Sequence, residues 1–317
     1  MDILMALIMI IAGFFFLVKG ADLFVDSASG IAGKLGISPV VIGLTIVAFG
    51  TSMPELAVSV TAALEGANEI ALGNVVGSNI FNLLVIAGGS ACLYPLACDR
   101  ILLKRDWPLS ALAALVLGIF LFGDQRISRG EALILLAMFG AVLFMQLKGA
   151  KQTEEKAPET RPMGRLLLFL VIGIAAIVIG GQITVDGATS LARILGLSET
   201  LIGLTIVAVG TSLPELVTAI TSLAKGHGAL SLGNVIGANV FNLVLVSGVS
   251  AVVAPFSIPQ NSLLFGHNAS LVLEFPVMFA VMLLLTLPAL FKGKLSRPQG
   301  IALLCIYAAF CVVQFTI

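Results

Sequence analysis

The sequence predicts an all-α polytopic membrane protein with ten transmembrane helices in two inverted repeats of five helices each. Its mean hydropathy is +1.12, and 59% of its residues are hydrophobic whereas 11% are charged. Soluble domains carry a larger charged fraction. The apolar residues also form continuous runs of roughly 15–25 residues, which is the length that a helix needs to cross a bilayer. Finally, the two halves of the chain carry the same motifs.

The apolar runs place the predicted helices along the chain. The first half has runs near Ile3–Ser27, Pro39–Leu64, Ile70–Tyr94, Trp107–Phe122 and Gly130–Leu147. The second half has runs near Arg165–Ala192, Glu199–Ala224, Leu230–Ala254, Ser270–Leu290 and Gln299–Thr316. The first run lacks the basic n-region of a signal peptide, so we expect it to stay as a helix. The polar segment 149–163 is predicted to be a cytoplasmic linker between the first repeat, 1–148, and the second, 164–317.

A shift of 160 residues aligns the two halves without a gap. Ile42–Ala48 returns unchanged as Ile202–Ala208, and the hexad Gly50–Glu55 (GTSMPE) returns as Gly210–Glu215 (GTSLPE). Because five is an odd number of helices, the second copy enters the membrane from the opposite side. Inverted repeats of this kind are typical of carriers, whose binding site lies near the bilayer midplane between the repeats.

The basic residues predict the orientation. Most of the 17 Lys and Arg residues fall on one face of the predicted bundle, called here the basic face: Lys34, Arg100, Lys104, Arg105, Lys148, Lys151, Lys156, Arg161, Arg165, Lys225, Lys292, Lys294 and Arg297. Arg126, Arg129 and Arg193 fall on the opposite face. By the positive-inside rule the basic face is cytoplasmic, which puts both termini outside the cell in a multi-pass protein of the plasma or inner membrane.

The two hexads carry the chemistry. Glu55 and Glu215 would lie in the membrane interior, where an ionised acid costs at least about 2.5–3.5 kcal/mol unless it is compensated. Pro54 and Pro214 lack an N–H, so each should break its helix and free a carbonyl, for which we expect Ala48 and Ala208. Together with the hydroxyls of Thr51, Ser52, Thr211 and Ser212, these groups would form an all-oxygen cluster suited to Ca²⁺ and Na⁺.

Structural interpretations compete with ion binding at several positions. Ser52-x-x-Glu55 is also a helix capping box, although a cap does not require an ionised group in the membrane. Asn74, Ser78 and Asn82 recur every four residues, as do Asn234, Ala238 and Asn242, so each set forms one polar stripe. We expect ion contact at Asn82 and Asn242, whereas interhelical hydrogen bonding is the alternative for Asn74, Asn79, Asn234 and Asn239.

A few other charged residues invite simpler interpretations. Asp26 and Asp186 correspond in the repeat, and we expect them to be polar groups at an entrance or hinge, or else helix caps. Lys19 and Asp22 lie about one turn apart and are expected to neutralise each other. The sequence contains no recognisable catalytic motif, so we expect neither enzymatic activity nor a resident cofactor.

At the two hexads, joined to the segments Gly77–Asn82 (GSNIFN) and Gly237–Asn242 (GANVFN), the chain resembles the cation/Ca²⁺ exchanger superfamily, specifically prokaryotic sodium/calcium antiporters. The resemblance covers nearly the whole chain. It implies ten helices, of which the second, third, seventh and eighth form a core. The first and sixth helices would slide across that core to alternate access to the site.

The resemblance also implies ligands. The Ca²⁺ site would use Glu55, Glu215 and the backbone carbonyls of Thr51 and Thr211. Flanking Na⁺ sites would use Ala48, Thr51, Ser52, Ser78 and Glu55 on one side, and Ala208, Thr211, Ser212 and Glu215 on the other, with Asn82 and Asn242 completing the centre.

Two departures from the family pattern, and one pair of positions that differs from the proton-coupled branch, refine this prediction. Ala238 stands where many members have a serine, which would weaken one Na⁺ site. Asn242 stands where K⁺-dependent members carry Asp, which disfavours K⁺ coupling, and Leu56 and Leu216 stand where the proton-coupled branch has His.

The predicted function is electrogenic Na⁺/Ca²⁺ antiport by alternating access. The alternative is an H⁺/Ca²⁺ exchanger, and a cation channel is the alternative from another class. The expected partners are the bilayer, Ca²⁺ and Na⁺, with no nucleic acid.

Overall fold

The computed structural model describes residues 2–94, 96–148, 160–196, 208–258, 263–264 and 266–314. These residues are almost entirely helical. The first half contains α1 (Ile3–Leu35), α2 (Pro39–Thr51), α3 (Met53–Leu64), α4 (Ile70–Leu93), α5 (Leu102–Asp124) and α6 (Arg129–Lys148). The second half contains α7 (Met163–Ile194), the short turn α8 (Ala208–Gly210), α9 (Leu213–Ala224), α10 (Gly228–Val253), α11 (Ser270–Lys292) and α12 (Arg297–Gln314).

The described helices fall where the apolar runs predict them. Eight are long and apolar enough to cross a membrane, and α2 with α3, bent by 45° at their junction, would make a ninth span. The first part of the predicted seventh helix, 199–207, lies outside the described residues. The main difference is at the end of α1, which continues to Leu35 rather than ending near Ser27. Asp26 therefore lies inside a helix and does not cap one.

Helices α1 and α7 pack against each other in antiparallel orientation through glycines. Gly13 and Gly20 in α1 are seven residues apart, and so are Gly173, Gly180 and Gly187 in α7. A Cβ atom added to Gly180 would lie 2.7 Å from the Leu17 nitrogen and 2.8 Å from the Gly13 oxygen. Small residues in membrane helices permit this approach. The two backbones are therefore in direct contact along most of the pair.

This contact gives a stability prediction. Gly180→Ala should destabilise the protein by about 1–3 kcal/mol, because the new methyl group meets backbone atoms that cannot move aside. Gly140→Ala in α6 is the matched control, since its Cβ would meet nothing within 4 Å. In a helix interior that control change should be neutral or stabilising by about 0.5–1 kcal/mol. Thermal unfolding in detergent measures both variants, and equal melting temperatures would contradict the proposed backbone contact.

The centre of the protein is built on α4 and α10, the two most buried of the described membrane helices. Gly233 and Gly237 bring α10 against α2: a Cβ on Gly233 would lie 2.5 Å from the Val40 oxygen, and one on Gly237 would lie 2.6 Å from the Leu44 oxygen. The residues that correspond to 40–44 in the second repeat, 200–204, lie outside the described residues. The described half of this core thus fixes α2 against α10.

Short strand pairs join the two halves at both ends of the bundle. On the basic face, β1 (Leu96–Ala97) pairs antiparallel with β6 (Lys294–Leu295). On the opposite face, β2 (Arg126–Ile127) pairs with β3 (Phe256–Ser257). A small hairpin joins β4 (Leu263–Leu264) to β5 (His267–Asn268). The sequence did not predict these two-residue strands. Lys294 lies in the β1–β6 strand pair and Arg126 in the β2–β3 strand pair. This agrees with the prediction that these two basic residues lie on opposite faces of the bundle.

Candidate cation-binding site

Both hexads interrupt their helices. Ser52 separates α2 from α3 with φ −85° and ψ 7°, and Ser212 precedes α9 with φ −92° and ψ 6°. Pro54 and Pro214 lie in the first turn of the following helix, where the missing N–H is tolerated. The predicted breaks are confirmed at the same position of each repeat, and they bring irregular backbone to the middle of the bundle.

The expected free carbonyls differ between the two repeats. The Ala48 carbonyl accepts the Ser52 N–H at 3.0 Å. The expectation that this carbonyl lacks a backbone donor is wrong, because the break falls after the last turn of α2. In the second repeat the Ser212 N–H bonds to the Val209 carbonyl at 3.1 Å. That tighter turn directs the Ser212 donor away from Ala208.

The two glutamates meet through reciprocal hydrogen bonds between the repeats. The Ser52 hydroxyl donates to Glu215 Oε1 at 3.1 Å, and the Ser212 hydroxyl donates to Glu55 Oε1 at 3.3 Å. Both glutamate side chains are fully buried. Neither serine makes a side-chain bond that caps its helix. The capping-box interpretation is therefore wrong, because each hydroxyl is directed across the interface to the opposite carboxylate.

Two asparagines hold the threonines of the opposite hexads. The Thr51 hydroxyl donates to Asn234 Oδ1 at 3.2 Å, and the Thr211 hydroxyl donates to Asn74 Oδ1 at 3.3 Å. Asn74 Nδ2 also donates to the Glu55 carbonyl at 3.0 Å and to the Ser59 hydroxyl at 2.8 Å. For these two asparagines the structure shows interhelical hydrogen bonding, the alternative named from the sequence.

Several buried oxygens around the glutamates have no hydrogen-bond partner among the described residues. The sequence-predicted site residues among them are Glu55, Glu215, Ser78, Asn82 and Asn242, through Oε2 of each glutamate, Oγ of the serine and Oδ1 of each asparagine. A buried polar group without a partner costs free energy and calls for an explanation. Carboxylate, amide and hydroxyl oxygens are the ligands that Ca²⁺ and Na⁺ prefer. A cation between the repeats would satisfy these groups.

Local backbone widening places Asn82 and Asn242. Wide helical turns with i→i+5 spacing cover Asn82–Ala87 in α4 and Phe241–Val246 in α10. Such turns are rare and occur frequently at functional sites. These wide turns were not predicted from the sequence. The matching asparagines at the two positions were the available signal, because a wide turn lets an amide side chain leave the regular helical face.

The charge of the site is not balanced by a nearby basic side chain in the described part of the chain. The ion pairs found there join Arg105 to Asp106 and Lys225 to both Asp22 and Asp26. None includes Glu55 or Glu215. When both are ionised the site carries two negative charges.

Comparison with known proteins agrees with this geometry. The sequence profile of the family described as sodium/calcium exchanger protein matches residues 5–148 and again residues 165–316. The chain belongs to the sodium/calcium exchanger family. The superfamily resemblance seen at the hexads is thereby confirmed, and the separate matches to each half agree with the internal repeat.

Two relatives and one solved structure match this exchanger over almost their whole length. CaxA of Alkalimonas amylolytica is 39% identical, covering 99% of each chain. The sodium/calcium exchanger MaX1 of Methanosarcina acetivorans is 36% identical over 98% of each chain. The solved sodium-calcium exchanger NCX_Mj superposes with a TM-score of 0.85 at 30% identity, covering 98% of this chain and 99% of that one. This exchanger is therefore a multi-pass membrane protein of a cation/Ca²⁺ antiporter family.

Proposed function

We propose that this exchanger couples Na⁺ entry to Ca²⁺ extrusion by alternating access. The observation that carries the proposal is the pair of buried glutamates, joined by reciprocal serine bonds and each retaining an oxygen without a partner. One Ca²⁺ neutralises two ionised glutamates. Three Na⁺ bound at adjacent positions would leave the loaded site at +1, so exchange at that ratio is electrogenic.

The proposed ligands follow the family pattern. Glu55, Glu215 and the carbonyls of Thr51 and Thr211 bind Ca²⁺. Na⁺ ions occupy flanking positions formed by Ala48, Thr51, Ser52, Ser78 and Glu55 and by Ala208, Thr211, Ser212 and Glu215, with Asn82 and Asn242 between them. Ala238 is fully buried and offers no hydroxyl where its counterpart Ser78 does, so we expect the second Na⁺ position to be the weaker.

Apolar side chains next to the hexads explain why only a loaded site would move. A Cβ on Gly50 would overlap Ile174, and one on Gly210 would overlap Val185, both from α7. Sliding α1 and α7 past two uncompensated carboxylates would place apolar surface against charge, which is costly. A bound cation removes that cost, so movement of the empty site is disfavoured and the two fluxes are coupled.

The proposed topology has ten spans in two inverted repeats, at 1–148 and 164–317, joined by the linker 149–163, with both termini outside. The antiparallel packing of α1 on α7 supports it. So do the two strand pairs, each of which joins the first repeat to the second at one end of the bundle.

The proposal is tested by ⁴⁵Ca uptake into proteoliposomes with an imposed Na⁺, H⁺ or K⁺ gradient. We expect uptake to follow the Na⁺ gradient, to respond to a clamped membrane potential and to be stimulated by Ca²⁺ on the trans side. Uptake driven by a pH gradient without Na⁺ would indicate proton coupling instead. Flux indifferent to potential would contradict the three-to-one ratio, and flux without trans-stimulation would indicate a channel.

A further inference from the structure

An ion-pair cluster on the basic face ties α1 to the core. Lys225 directly follows α9, and its Nζ lies 2.7 Å from Asp26 Oδ1 and 3.3 Å from Asp22 Oδ1. The same ammonium group donates to the Asp22 carbonyl at 3.1 Å. Asp22 and Asp26 are one turn apart, so Lys225 holds a full turn of α1. The sequence suggested that Asp22 pairs with Lys19. In the structure Asp22 instead pairs with Lys225, across the interface between α1 and α9.

The mirror positions cannot form the same cluster. The shift of 160 residues relates Lys225 to Glu65, Asp26 to Asp186 and Asp22 to Gln182. Gln182 Nε2 donates to Asp186 Oδ1 at 2.8 Å within α7. On the basic face one lysine pairs with two aspartates. The equivalent arrangement on the opposite face would instead bring Glu65 toward Asp186. Two like charges brought together there would repel each other.

The exposure of apolar side chains shows that α1 covers α9 and does not cover α3. Leu213 and Val217 of α9 pack against a buried apolar cluster to which α1 contributes Leu17 and Ala21. Their counterparts in α3 are Met53, which is 38% exposed, and Ala57, which is also exposed. The seam between α1 and α9 is therefore closed on the basic face, and α3 lacks an equivalent cover on the opposite face.

A buried polar stripe lies beneath the closed seam. Glu215, Thr218, Ser222 and Lys225 recur at intervals of three or four residues, so they share one face of α9 and its end. The hydroxyls of Thr218 and Ser222 are fully buried and have no hydrogen-bond partner within the part of the chain that the structure describes. The mirror positions hold Val58 and Ala62. The stripe leads from the site glutamate to Lys225.

We propose that Lys225 with Asp22 and Asp26 is a latch that closes the cytoplasmic ion passage along the α1–α9 seam and biases the empty exchanger toward the state open on the opposite face. The inference rests on the alternating-access function proposed above. Lys225 is 26% exposed, so each pair is partly screened by water. One partly exposed ion pair shifts the equilibrium between the closed and the open cytoplasmic passage by only about two- to five-fold. The two pairs together shift it by roughly ten-fold.

The test compares apparent Ca²⁺ affinity at the two faces, measured by Na⁺/Ca²⁺ exchange in inside-out and right-side-out vesicles. Lys225→Glu should raise apparent affinity at the cytoplasmic face and lower it at the opposite face, by roughly five- to ten-fold in total, because apparent affinity scales with the population of the competent state. The double variant Lys225→Asp with Asp26→Lys swaps the two charges and should restore the wild-type apparent Ca²⁺ affinities at both faces. Lys34→Glu, the same charge change elsewhere on the basic face, should leave both affinities unchanged.

A second variant keeps the proposal testable if Lys225→Glu fails to fold. Glu65→Lys with Gln182→Asp builds the mirror latch, which would close the opposite passage, so it should raise apparent affinity at the cytoplasmic face and lower it at the opposite face, as Lys225→Glu does. Unchanged affinities in an active Lys225→Glu exchanger, or a shift in the same direction at both faces, would overturn the latch. Wild-type vesicles without Na⁺-driven Ca²⁺ flux would instead overturn the proposed function, so the two failures are distinguishable.

Discussion

Glu55→Gln is expected to reduce Na⁺-driven Ca²⁺ flux at least ~100-fold, and Glu215→Gln should do the same. Either change leaves one carboxylate to balance a divalent ion, and removing one member of a buried charged set costs about 3–5 kcal/mol. The serine that donates to the altered side chain keeps its acceptor, because glutamine retains an oxygen. The loss therefore reports the missing charge, which ⁴⁵Ca uptake into proteoliposomes measures.

Glu274→Gln is the matched control, because Glu274 belongs to membrane helix α11 and accepts a hydrogen bond from Gln314 at 3.0 Å. This variant should transport normally. Binding is checked separately by thermal unfolding: Ca²⁺ at 100 times its Kd should stabilise the wild type by about 2.7 kcal/mol, and Glu55→Gln should lose that gain at the same concentration. A Glu55→Gln protein that still exchanges Ca²⁺ at the wild-type rate would disprove the assignment of the site.

Gly50→Val is expected to slow exchange by about ten-fold or more while leaving Ca²⁺ binding in place. A side chain at Gly50 would overlap Ile174 of α7 and approach Phe24 of α1. Overpacking of this kind costs about 1–3 kcal/mol. We expect this cost to raise the barrier to movement of α1 and α7 past the hexad. The measurement is initial ⁴⁵Ca flux, compared with Ca²⁺-induced thermal stabilisation of the same protein.

Gly140→Val is the corresponding control, since a Cβ at Gly140 would meet nothing within 4 Å. It introduces the same residue into a membrane helix away from the site, and its flux should match the wild type. Unchanged flux in Gly50→Val would argue against movement of α7 across this hexad. Loss of Ca²⁺-induced stabilisation would show that the substitution acts on the site itself.

The sequence predicted the helices and the meeting of the two glutamates for identifiable reasons. The length of an apolar run predicts a membrane span, and Pro54 and Pro214 predict the helix breaks. Because the shift between the two halves is constant, the two hexads must occupy equivalent positions in the fold. The end of α1 was missed because Ser27 begins a less apolar stretch. That stretch is helical because it is covered by neighbouring helices: Ala28, Ile31 and Ala32 are buried in the structure.

Contacts between helices were harder to predict than the helices themselves. The spacing of Lys19 and Asp22 suggested a pair within one helix, whereas the observed partner, Lys225, lies far away in the sequence. Which partner is chosen depends on how α1 docks against α9, and no local pattern contains that information. The same reason explains why the serines of the hexads bond across the repeats instead of capping their own helices.

The glycine contacts between α1 and α7 have a consequence for leakage. Because the backbones of α1 and α7 touch at these glycines, we expect the two helices to move as one unit in the alternating-access cycle proposed above. Movement that uncovers one mouth of the pathway would then cover the other mouth. This linkage would protect the ion gradients from leakage through a continuous water-filled pore.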